Sequence, residues 1–179
     1  MEQQPFNKID LQSLYDVKSF IMNSEGFYSK VYRCTMGFLT IGYGFNLEAS
    51  SAKSIMTKMG LDHKAYITGK KEMDRATAQR LFDYQYNEKI AYVDKNFQGL
   101  RFSSQREVLI DISFNIGSIP TSFTKFRQAV KNNDVKAMAI EILDSNYCSQ
   151  VKTRCLKNAI NLLNDASGAN AQTLKAKVQ

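Results

Sequence analysis

Apolar residues recur every three or four positions along most of this chain, and every second position over one short stretch. Leu11, Leu14, Val17, Lys18 and Ile21 lie toward one side of a helix, which Asp10 can cap and which Gly26 closes just after Glu25. A carboxylate is thereby expected at a helix C-terminus. The period then changes. Leu39, Ile41, Tyr43 and Phe45 alternate with Thr40, Gly42, Gly44 and Asn46, which predicts a strand. A shorter run, Lys30 to Cys34, precedes it across a Thr-Met-Gly turn, so a β-hairpin is expected. One face of its second strand is bulky, and the other is small. Small residues admit the close approach of a ligand or another backbone; a strand pressed against a helix would look the same.

From Ser50 onward the pattern is helical. Ala52 to Met59 predicts a short helix closed by Gly60, and Lys64 to Glu72 reads as a polar connection. Asp74 caps a long helix through Leu81, Phe82, Gln85 and Tyr92. Val108, Leu109, Ile112, Asn115 and Ile116 mark another, stopped by Gly117, with Pro120 in the turn beyond. Phe123 to Val130 predicts one more short helix. Val135, Met138, Ala139 and Ile142 form an apolar stripe, as do Cys155, Leu156, Ala159, Ile160 and Leu163. Asp165 to Gln179 has little apolar content and reads as a loose tail. The class is α+β, mostly helical, with one small hairpin near the N-terminus.

Composition narrows the function. With 44% apolar residues among 179, the chain can bury a core, and one domain is favoured. No apolar run approaches the roughly 18 residues of a membrane span. Met1 to Lys8 lacks the basic segment and apolar stretch of a secretory signal, so synthesis in a cytoplasm, or an earlier cleavage, is expected. A net charge of +7 suits an anionic partner such as nucleic acid, a membrane surface or a cell wall. No Lys/Arg-rich helix with interleaved aromatics supports nucleic acid. The single histidine, His63, lies in a polar, loop-like stretch and reads as surface, which leaves Ser-His and Cys-His machinery unsupported. The cysteines, Cys34, Cys148 and Cys155, have neither a disulfide-framework number nor zinc-knuckle spacing. No metal or cofactor is expected.

The run Glu25-Gly26-Phe27-Tyr28, continuing through Val31-Tyr32 to Cys34 and then Gly37-Phe38-Leu39-Thr40-Ile41-Gly42-Tyr43-Gly44, resembles the phage lysozyme family, the group that includes the lysozyme of T-even phages. That family places a glutamate at the end of its first helix, before a glycine. An acidic residue follows nine positions later and a threonine six beyond that, inside Thr-Ile-Gly. Glu25, Cys34 and Thr40 fall on those places. Asp74 to Phe82, Ile112 to Gly117, and Tyr147 to Lys157 with Gln150 and Arg154 extend the resemblance to about residues 10–163. It implies a two-lobed fold within residues 1–165: a hairpin lobe at about 25–73, a linking helix at about 75–95, and a helical lobe at about 96–165, with 166–179 as a tail.

The resemblance also implies an activity: hydrolysis of the β-1,4 bond between N-acetylmuramic acid and N-acetylglucosamine, by a monomer released to the cell wall in the periplasm. Such cleavage ordinarily uses two carboxyl groups, one of which protonates the leaving oxygen. Glu25 is the expected general acid; the negative end of a helix dipole disfavours a further negative charge there. Arg154, which the resemblance sets beside it, favours the anion, so orientation is its implied role. Thr40 can hold a water by its hydroxyl. Phe114, Asn115 and Tyr147 are expected to contact sugar, with Met36 and Asn46 as further positions near the cleft. Two departures stand out. Phe45 replaces a frequent histidine, which removes any ion pair made there. Cys34 replaces the usual aspartate, which leaves several readings open: a thiolate that supplies the missing charge, a thiol that accepts a weak hydrogen bond, a nucleophile that forms a covalent S-glycosyl intermediate, a small buried hydrophobe of the hairpin, or a lysozyme-like module that binds glycan without cutting it. The cysteines could also pair under oxidising conditions, although core packing is the favoured reading for Cys148 and Cys155.

Overall fold

The computed structural model describes residues 16–176, with side chains through residue 167. Two compact units result: residues 18–88, and residues 89–176 together with residues 16–17.

Helix α1, Val17–Glu25, leads into the first unit, which holds it from Lys18 onward. The expected cap Asp10, with Leu11 and Leu14, lies outside the described residues. Gly26 adopts φ +70 and its N–H bonds back to Met22 at 3.1 Å, so the helix ends where a glycine allows it. Three strands follow: β1, Tyr28–Arg33; β2, Leu39–Gly42; and β3, Phe45–Asn46, antiparallel in the order β1-β2-β3. The single second strand expected over 39–46 is therefore two. Gly42 and Gly44 take φ +66 and +76 and turn the chain back at Tyr43. Strict alternation survives this reversal, which is why the pattern concealed it. Ile41, Phe45, Leu47, Met56, Tyr66, Met73 and Leu81 form the buried cluster beneath the sheet.

Helix α2, Ala52–Lys58, ends before Gly60 as expected. The expected polar connection contains a one-turn helix, α3, His63–Ile67, because Asp62 accepts from the N–H groups of Lys64 and Ala65 and Tyr66 is buried. His63 is half-buried, with Nε2 2.7 Å from the Leu47 carbonyl, so it ties α3 to the sheet rather than standing as surface. Asp74 receives both the N–H and the hydroxyl of Thr77 at 2.8 Å and caps α4, Arg75–Asn96, which runs from the first unit into the second.

The second unit holds α5, Ser103–Ile116; α6, Thr124–Lys131; α7, Val135–Leu143; α8, Asn146–Val151; and α9, Thr153–Ala176. Gly117 ends α5 at φ +87. The α7 stripe is buried as expected. On α9 the buried face is Cys155, Asn158, Ala159, Leu162 and Ala166, whereas Leu156, Ile160 and Leu163 are 42–50% exposed. The helix has rotated its aliphatic stripe outward because Asn158 bonds to a carboxylate on α5. Helix also replaces the expected loose tail as far as Ala176. Cys148 and Cys155 form a disulfide rather than two packed thiols: the helix break at Lys152 leaves their Cα atoms 5.1 Å apart, within bridging distance.

Candidate active site

Glu25 ends α1, half-buried, and its side chain lies on the β2–β3 turn. A Cβ placed on Gly44 would come within 2.8 Å of Glu25 Oε2. One placed on Gly42 would meet Met73 Sδ at 3.0 Å and the Ala78 methyl at 3.2 Å. Both readings of the small-residue face therefore hold, at different positions. Gly42 lets the strand press against α4 and the residues leading into it, and Gly44 makes room for the Glu25 carboxylate.

Cys34 follows the last residue of β1 and begins the turn to β2. Its N–H donates to the Phe38 carbonyl at 3.0 Å, and its carbonyl accepts from Gly37 at 2.8 Å. Thr40, buried at 3% exposure, donates its hydroxyl to that same Phe38 carbonyl at 3.1 Å. Burial pushes the Cys34 thiol up. Hydrogen bonds from the Thr40 hydroxyl and from the N–H groups of Met36, Phe38 and Cys34 outweigh it, so the free thiol titrates below its ordinary range. Thr40 has one proton, so stabilising a thiolate requires it to release the Phe38 carbonyl. Alkylation of Cys34 by iodoacetamide is therefore expected to rise with pH through a midpoint below the roughly 8.5 of an unperturbed thiol. Thr40→Val should move that midpoint upward, because it removes a bond to the anion. A wild-type midpoint at or above about 8.5 would contradict this arrangement.

Tyr28 and Tyr32 carry a feature the sequence did not reveal. In β1 the partner of Tyr28 is Gly42 and that of Tyr32 is Thr40, so four steps on β1 oppose two on β2. The resulting bulge brings the two rings to 4.2 Å between centroids, at an interplanar angle of 33°. Burial first, then the charges of Tyr28, Glu25 and Cys34, push the Tyr32 phenol up. Tyr32 thus remains a protonated donor in the electrostatic range of both Glu25 and Cys34. Phe45 packs in the core of this unit, Met36 is exposed, and Asn46 accepts from the Glu48 N–H at 2.9 Å.

The remaining candidates lie in the second unit. Arg154 Nε donates to Asp111 Oδ1 at 2.9 Å, and Nη2 lies 2.8 Å from the same oxygen. Asp111 is fully buried and also accepts from the Tyr147 hydroxyl at 3.3 Å and from the Asn158 amide. Burial, reinforced by the Asp111 charge and opposed by Arg154, raises the Tyr147 phenol. Tyr147 was expected to offer a ring to sugar; it is 3% exposed and supports Asp111 instead. Phe114 is half-buried and Asn115 exposed near the end of α5. The only hint of Asp111 in the sequence is a carboxylate within the apolar run Leu109-Ile110-Asp111-Ile112, where burial demands a partner.

A sequence model of the phage lysozyme family matches residues 22–159, most of the chain. The chain belongs to the phage lysozyme family. Membership supports a lysozyme- or endolysin-type peptidoglycan hydrolase and makes peptidoglycan the implied substrate class. The matched segment contains Glu25, Cys34 and Thr40 as well as Asp111 and Arg154. No curated protein matches the chain. Among the described residues of this family member, no helix is long and apolar enough to cross a membrane.

Proposed function

We propose that the chain is a muramidase that cleaves the β-1,4 bond between N-acetylmuramic acid and N-acetylglucosamine. The observation that carries this reading is the fit of the Glu25 carboxylate onto Gly44, in the unit that also holds the Cys34–Thr40 pair. Protonated Glu25 gives its proton to the glycosidic oxygen as that bond breaks. A water held by the Thr40 hydroxyl attacks the anomeric carbon, and its proton passes to the Cys34 thiolate. One carboxyl and one thiolate then play the parts of the usual carboxyl pair, and the product is inverted.

The context is that of a phage endolysin, made in the host cytoplasm and acting on the wall in the periplasm as a monomer that lyses the cell. A Cys148–Cys155 disulfide suits an oxidising compartment of that kind. The aspartate missing at Cys34 favours a second reading, a glycan-binding module that does not cut. The test is incubation of the purified protein, with Cys34 kept reduced, on isolated peptidoglycan. Release of soluble fragments with new reducing N-acetylmuramic acid ends, identified by mass spectrometry, supports the muramidase. Wall binding without release supports the module.

A further inference from the structure

Tyr28 is 49% exposed on the bulged strand β1, yet its ring is not loose. A regular strand rises about 3.3 Å per residue, so residues four apart would stand roughly 13 Å from one another. The bulge instead brings Tyr28 against Tyr32 at 4.2 Å, and the Tyr28 Cε2 lies 3.7 Å from where a Cβ on Gly26 would stand. The ring is therefore anchored beside the residue that follows Glu25. The backbone of the bulge is held as well, because Ser29 accepts the Met73 N–H at 2.8 Å. None of this serves the core, which Phe27 and Val31 reach from the same segment. Bulges often re-aim side chains next to active sites.

We propose that Tyr28, backed by Tyr32, is a saccharide subsite that holds one ring of the glycan strand beside Glu25; this rests on the muramidase reading. An ordered aromatic ring with an uncovered side suits the C–H face of a pyranose, and the phenols offer hydrogen bonds to its hydroxyl and acetamido groups. A nucleobase is the poorer occupant, since its phosphates would approach Glu25 and Cys34, both of which are acidic. Lys30, between the two tyrosines in sequence, is 3.3 Å from Glu72 and so paired.

The experiment uses Glu25→Gln as a non-cutting background and a soluble tetrasaccharide of alternating N-acetylglucosamine and N-acetylmuramic acid as the probe. Adding Tyr28→Ala should weaken binding about three- to tenfold, and Tyr28→Phe, which keeps the ring face, should recover most of the loss. With Glu25 restored, Tyr28→Ala should raise KM more than it lowers kcat. If the background binds the tetrasaccharide and Tyr28→Ala leaves that affinity unchanged, the subsite is wrong while the muramidase reading stands. If the background binds no tetrasaccharide and the wild type releases no fragments, both fall. A loss that Tyr28→Phe does not recover also overturns the subsite, because it would assign the effect to the hydroxyl.

Discussion

Glu25→Gln is expected to lower the rate of glycan cleavage by about 10²- to 10⁴-fold, the usual contribution of a general acid. Glutamine keeps the shape of the side chain on Gly44 but cannot give up a proton as an acid does. The unfolding midpoint should therefore stay close to that of the wild type. Gly44→Ala reaches the same group from the other side. The new methyl would lie 2.8 Å from Oε2 and must displace the carboxylate. A shift of this order, about 1 Å, costs roughly 100-fold in rate when the chemistry depends on position. The left-handed backbone at φ +76 adds a stability loss of about 1–2 kcal/mol. Initial rates of fragment release and thermal unfolding of both variants check this. A Glu25→Gln variant that retains more than about a tenth of the wild-type rate would remove Glu25 from its role.

Asp111→Ala should be the most damaging single change to stability in the second unit. It removes the carboxylate that pairs with Arg154, whose side chain is only 10% exposed, and that accepts from the Tyr147 hydroxyl and the Asn158 amide. Breaking such a buried pair costs about 3–5 kcal/mol. In a chain of this size that corresponds to a fall in the unfolding midpoint on the order of 10 °C. Asp111→Asn retains one carbonyl oxygen for these donors, loses the charge, and should fall between wild type and alanine. Calorimetry of the three proteins decides it: a drop of less than about 3 °C for Asp111→Ala would mean that water replaces the carboxylate without difficulty.

What could be read from the sequence follows from which forces are local. The glycine stops at Gly26 and Gly117, the Asp74 cap and the α7 stripe depend on residues within one or two turns, and all stand where their pattern put them. Glu25, Cys34 and Thr40 were marked by the family resemblance rather than by local periodicity, and one helix end and one short hairpin carry all three. Alternation through Tyr43 could not reveal the reversal there, because side-chain periodicity says nothing about the sign of φ. The face of α9 was misjudged because Asn158 is drawn inward by Asp111, 47 residues earlier in the chain. The meeting of Tyr28 with Tyr32 depends on two unpaired steps in β1, a matter of register against β2 that neither residue signals alone.

The Cys148–Cys155 bridge leaves Cys34 as the one free thiol among the three cysteines. Without reductant, a maleimide fluorophore or a nitroxide should therefore attach at a single address, in the hairpin turn that precedes the strand carrying Thr40. The native chain thus comes with its own reporter position. Emission or spin mobility there should register the arrival of a glycan strand with no cysteine added or removed.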